Sequence, residues 1–366
     1  MKKILRDNKG SISALVVISV LLYSIVLTTV FMQASSKRKI QMDSQILAKE
    51  AYEKQLDNLD EIRDEINGGG INLNDSQIGD YVNYAYDSAS SYNLESKYSG
   101  YSNDQEITQT IGLKWRILNI DKTNRTIDVV SEIPTTGTVY FGNILGYNNG
   151  PYLMNEICKA QYSNKTLGIN ARNINLLDME KQMTKIGINA RNIYQYSSDR
   201  AIYGKTKTYT GSQYYPTFYK KQIGEGTETT EVTQPDTTKG NDPYKESEKI
   251  ADTEPTTDSS YGTASSNGLT VTQTYYKIQI DNDNYGDAAN VLASNTYFWI
   301  AARCIYTRYS DAFFGLRVAT TYMSGYNMYL SYNGTDSKNY ALRPIVSIPT
   351  SLLTGEKDST DAWNLK

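Results

Sequence analysis

Residues 12–32 read ISALVVISVLLYSIVLTTVFM, 21 consecutive residues without a charge. At about 1.5 Å per helical residue, such a run crosses a hydrocarbon core of roughly 30 Å. It predicts one transmembrane helix and places membrane lipid against residues 12–32. Lys2, Lys3, Arg6 and Lys9 precede the run, and Lys37, Arg38 and Lys39 follow it. Counted as four against three, these charges barely separate the two orientations. The short basic tail, residues 1–11, favours a cytoplasmic N-terminus with the bulk of the chain translocated. A cleaved signal peptide fits less well, because its apolar core would span about 7–15 residues. The expected location is the cell membrane, single-pass, with the C-terminal domain outside.

Residues 33–67 contain no proline, and Ile40, Leu47, Ala51, Leu56, Leu59, Ile62 and Ile66 recur at helical intervals opposite a charged face. This predicts an amphipathic stalk helix, stopped by Gly68-Gly69-Gly70. A linker over 68–77, a β-rich surface domain over 78–353 and a tail over 354–366 complete the expected layout. The fold class is then α+β: a long N-terminal transmembrane and stalk helix, then a β-rich domain.

Composition narrows the chemistry. The 366 residues include no histidine, which removes Ser-His-Asp and Cys-His catalysis and imidazole metal sites. The net charge of -3 argues against a nucleic-acid footprint. No cofactor or metal is expected, and no paired carboxylates fall in a recognisable catalytic pattern. The chain reads as a non-enzyme. Tyrosine stands at 32 against 6 phenylalanines and 3 tryptophans. Tyrosine suits half-buried strands, and it also suits recognition surfaces because its contact area comes at low entropic cost. Cys158 and Cys304 could form a disulfide outside the cell or remain two buried thiols.

Residues 113–133 predict a hairpin, with a turn over 121–124 between two apolar strands. Residues 146–150, GYNNG, read as a turn, with a helix expected from Pro151 to Ser163. The heptapeptide GINARNI occurs at 168–174 and again at 187–193, with Asp178 read as the cap of a short helix, 179–185, between them. Residues 224–268 hold almost no large apolar residue and are expected to form a flexible insertion. An alternating strand is expected over 269–276. Residues 281–287, DNDNYGD, resemble a calcium loop, but its twelfth position is Leu292 instead of glutamate, so an Asx-rich turn is expected.

Three C-terminal stretches each join an apolar strand to an arginine: 297–304 (YFWIAARC), 313–318 (FFGLRV) and 340–347 (YALRPIVS). Buried arginine needs fixed partners, so Arg303, Arg317 and Arg343 are expected to form a structural network. With Trp115-Arg116, Trp299 and Leu342-Arg343-Pro344, these stretches resemble a family of bacterial surface domains with the C-type-lectin-like fold, shared with formylglycine-generating enzymes. Trp115, Arg116, Trp299, Arg303, Arg317, Arg343 and Pro344 are the implied structural residues, although Ala302 replaces the family's usual Ser or Thr. The reactive cysteine pair of the enzymatic branch does not carry over, because Cys158 and Cys304 lie far apart in sequence. The resemblance implies ligand binding on the segment 306–339, at Tyr306, Arg308, Tyr309, Asp311, Tyr322, Tyr326, Asn327, Tyr329 and Tyr332, by an extracellular glycan or protein. The N-terminus also resembles type IV pilins and pseudopilins: Lys9-Gly10 precedes the apolar run. Leu15 stands where those subunits carry Glu, and Ser11-Ile12-Ser13 replaces their Phe-Thr-Leu opening. That likeness implies cleavage after Gly10 and self-assembly through the N-terminal helix.

Overall fold

Strand Phe298–Arg308 contributes side chains to two core clusters, one on each face. Trp299, Ala301 and Ile305 join one core cluster, while Phe298, Ile300 and Ala302 join another. A strand covered on both sides is apolar on both faces, and FWIAARCI meets this except at Arg303. The computed structural model describes residues 76–87, 91–210, 213–216, 255–264, 269–308, 310–330 and 336–366. The expected transmembrane and stalk helices and most of the insertion lie outside these residues. Among the described residues no helix is long and apolar enough to cross a membrane.

The domain is β-rich with few helices. Six strands form one sheet in the order Ile278–Gln279, Tyr322–Leu330, Asp311–Ala319, Phe298–Arg308, Ser337–Ala341, Thr138–Gly142. Seven form a second, in the order Leu353–Lys357, Ala362–Leu365, Tyr81–Val82, Trp115–Asp121, Thr126–Ser131, Pro344–Pro349, Ala171–Asn173. The expected hairpin is present, with Trp115–Asp121 antiparallel to Thr126–Ser131. Pro344 opens its strand, where its missing N–H costs no ladder bond. Residues 354–366 are not a tail. Ala362–Leu365 lies parallel to Tyr81–Val82, and the Trp363 indole donates to Asp80 Oδ2 at 3.0 Å, so the end of the chain closes the sheet.

The long helix Asn143–Tyr162 begins eight residues earlier than its sequence suggests. GYNNGP carries the residues of a turn, yet every one of these is helical and buried. Gly150 is required by close approach: a Cβ there would sit 2.6 Å from Leu316 Cδ1. Pro151 has no N–H for the Tyr147 carbonyl, and a buried orphan acceptor is costly. Arg303 resolves this, its Nε donating to Tyr147 O at 2.8 Å and its Nη2 to Asn148 O. Tertiary contacts thus override the local turn signal.

The two GINARNI copies fold differently. The first contributes strand Ala171–Asn173, after a turn at Gly168 with φ of +67°. The second lies in helix Lys185–Asn192, because Thr184 caps it and accepts from Gly187 N at 3.2 Å. Both copies deliver their arginine to the same short helix, Leu176–Glu180. Arg172 forms two bonds to Asp178, at 2.5 and 2.8 Å, and Arg191 reaches Glu180 Oε1 at 3.1 Å. Asp178 is therefore not the cap. Asn175 is, with Asp178 as the reciprocal member of a capping box.

Within the expected insertion, 224–268, the described Tyr261–Ala264 is a strand paired with Gln213–Pro216, and just outside it Thr206–Tyr209 pairs with Leu269–Thr272. The strand expected over 269–276 stops at Thr272, after which Thr274 and Tyr275 donate their N–H groups to Ile305 O. Asp281 accepts from Asn284 N at 3.0 Å and opens a helical turn, as expected of an Asx-rich segment.

Cys158 and Cys304 are free thiols, so the disulfide option is set aside. They occupy different core clusters. Cys304 Sγ fills the space beside Gly325, where a Cβ would come within 2.5 Å of it. Burial pushes the Cys304 thiol up to about 11 and the Cys158 thiol well above its ordinary value. Both should resist alkylation. Treatment with iodoacetamide at pH 8 should label neither in the folded protein and both in urea, read by intact mass. Labelling of either thiol under native conditions would contradict this packing.

Candidate functional site

The ligand residues implied by the sequence divide between two ends of one long hairpin. Asp311–Ala319 runs antiparallel to both Phe298–Arg308 and Tyr322–Leu330. Arg308 pairs with Asp311, Tyr306 with Phe313 and Tyr329 with Phe314, all toward the 308–311 turn. Asn327, opposite Gly315, is near the middle, whereas Tyr322 lies just beyond the Met323–Ala319 pair at the far end. Eight strand residues separate Asp311 from Ala319, about 27 Å at 3.4 Å each. The nine residues therefore do not form one site. Tyr309 and Tyr332 lie outside the described residues.

Tyr322 and Tyr326 do belong to a compact group, and the structure adds two tyrosines to it. Tyr297 precedes the Phe298–Arg308 strand and Tyr340 lies on Ser337–Ala341. The Tyr297 and Tyr322 hydroxyls hydrogen-bond to each other. Ring centroids lie 5.3 Å apart for Tyr297–Tyr340 and for Tyr326–Tyr340, and 6.2 Å apart for Tyr297–Tyr322. Tyr340 stands edge-on to the buried Trp299 at 4.8 Å. These distances fall in the favourable range for aromatic pairs. All four rings are half-buried, and Tyr297, Tyr326 and Tyr340 pack against the core.

Two lysines flank the group. Lys277 Nζ lies 4.1 Å from the Tyr322 ring centroid and Lys338 Nζ lies 5.8 Å from that of Tyr326. Lys338 is also paired with Asp336 at 3.3 Å. The hydrogen bond to Tyr322, with burial, pushes Tyr297 up to about 12; burial and the Tyr326 hydrogen bond raise Tyr340. Tyr297 and Tyr340 therefore stay neutral at physiological pH, and the four rings offer hydroxyl donors and acceptors and ring faces.

Tyr297 and Tyr340 were legible only as neighbours of the FWIAAR and ALRP stretches. Nothing local marks them as partners of Tyr322 and Tyr326. The expected structural residues all sit at fixed points. Trp115 and Trp299 are buried, and the Trp299 indole donates to Val139 O at 2.8 Å. Arg116 Nε donates to Gly79 O at 2.9 Å. Arg317 donates to Thr274 O and its guanidinium lies 4.7 Å from the Tyr276 ring centroid. Arg343 donates to the carbonyls of Ser131, Glu132, Val291 and Leu292. Arg303, Arg317 and Arg343 are thus separate anchors on backbone carbonyls, not one network. Among the described residues, no cluster of His, Cys, Asp or Glu is placed to hold a metal ion. The chain matches no family model, no curated protein and no solved structure.

Proposed function

We propose that this chain is a membrane-anchored surface protein whose β-rich domain presents the tyrosine face to an external ligand, a glycan or a protein epitope. One observation carries this reading: four half-buried rings, drawn from separated stretches of sequence, gather beside exposed Lys277. Ring faces pack on sugar C–H surfaces or apolar side chains, and phenol hydroxyls exchange hydrogen bonds with polar groups. The lectin-like reading draws support from the stretches that carry the resemblance, since they supply the buried Trp115, Trp299, Arg303, Arg317 and Arg343. The apolar run at 12–32 supports the anchor.

The test is a glycan and protein array probed with the full chain and with Tyr322→Ala/Tyr326→Ala. The double variant should lose about tenfold or more in affinity for whatever the wild type binds, at unchanged far-UV circular dichroism. Equal binding by the two proteins would remove the site. Lys9-Gly10 favours a second reading, a pilin-like filament subunit. It requires a mature N-terminus at Ser11, and a mass spectrum with Lys2 retained would eliminate it.

A further inference from the structure

Beside the tyrosine face lies a cleft of about 660 Å³. Small-molecule sites span roughly 300–1,000 Å³, so the cleft can seat a ligand. Its lining includes Thr138, Asn295, Thr296 and Thr321, with Ile133 contributing apolar surface at 54% exposure. Thr296 and Thr321 directly precede Tyr297 and Tyr322 in the chain, and the two phenols are bonded to each other. Cleft and ring pair are therefore joined at two points of the chain, one residue apart in each case.

The two halves differ in charge. Glu132 lines the cleft, and its carboxylate accepts from the Tyr81 hydroxyl. A carboxylate there disfavours an anion but tolerates hydroxyl groups. At the ring end the charge is positive: Lys277 is exposed over Tyr322, while Lys338 is offset by Asp336. Hydroxyls and an amide line one half, and rings beside an ammonium form the other. This is the chemistry of a chain of sugars with an acidic substituent. We infer that cleft and tyrosine face form one extended site for an acidic polysaccharide, with a neutral hydroxylated unit in the cleft and an anionic unit beside Lys277. The inference rests on the ligand-binding reading and gives it a substrate class.

Isothermal titration of the full chain in detergent with hexagalacturonate and with its carboxyl-reduced, neutral counterpart tests it. The wild type should bind the acidic oligomer about twofold to fivefold more tightly, the range for one solvent-screened ion pair. The preference should shrink as salt is raised. Lys277→Met should erase the preference for the acidic oligomer. Thr296→Val/Thr321→Val should weaken both oligomers. Equal affinities in the wild type, or a preference that survives Lys277→Met, overturns the acidic-ligand inference; loss of both oligomers in Tyr326→Ala would then leave the parent reading standing. If both oligomers bind and Tyr326→Ala changes neither, both readings fall. If neither binds the wild type, the inference falls and the array decides the parent reading.

Discussion

Arg343→Met should unfold the domain or bring it to the edge of unfolding. The Arg343 guanidinium is fully buried and donates to four backbone carbonyls, from residues 131, 132, 291 and 292. Its plane also lies 4.9 Å from the Phe298 ring centroid. Burial, and then the nearby charge of Arg116, lower its pKa, and the half-buried Glu132 carboxylate offsets them only in part. The charged form is held instead by the geometry of its donors. Methionine fills much of the volume but satisfies none of the acceptors, and each buried orphan costs about 1–3 kcal/mol. The expected loss is on the order of 5 kcal/mol, against about 5–15 kcal/mol of total stability for an ordinary domain. Arg343→Lys keeps a charge but loses the fork, so its loss should fall between wild type and Arg343→Met. Urea unfolding followed by tryptophan fluorescence reads both. A midpoint for Arg343→Met equal to wild type would show that the four bonds contribute nothing.

The second large effect belongs to Arg303 and Pro151 as a pair. Proline stands nine residues into helix Asn143–Tyr162, and Arg303 takes the Tyr147 carbonyl that its ring cannot serve. Arg303→Met should cost about 1–3 kcal/mol, since it leaves the buried Tyr147 carbonyl without a donor. Pro151→Ala supplies the missing N–H. In the Arg303→Met background it should recover more than about 1 kcal/mol, and with Arg303 present it should have much less effect. The pair would then be non-additive in the double-mutant cycle. An identical effect of Pro151→Ala in both backgrounds would mean that Arg303 does not compensate the proline.

These contacts explain why the sequence was informative in some places and misleading in others. Period-two alternation in WRILNID and the doubly apolar FWIAAR run specify strands locally, and both strands are present. GYNNGP signals a turn by every local rule, and the arginine that lets it be helical lies 152 positions after Pro151. GINARNI carries no fixed preference. A preceding Gly168 turn or Thr184 cap decides strand or helix, and the shared Arg172 and Arg191 contacts with one short helix had no local signal. At the candidate site, tyrosine richness over 322–332 included two of the four grouped rings, Tyr322 and Tyr326. It could not show that a 27 Å hairpin separates Asp311 from Tyr322. Nor could it show that Tyr297 and Tyr340, adjacent to fold-forming motifs, complete the group.

Tyrosine-selective carbon-13 labelling with ligand titration, using whichever array hit binds most tightly, tests the site most directly. Resonances of Tyr297, Tyr322, Tyr326 and Tyr340, assigned by single Tyr→Phe substitutions, should shift together as ligand is added. Those of Tyr84 and Tyr162, buried in a core cluster around Trp115, should stay in place. Ligand binding with the four-ring group unmoved would contradict the account.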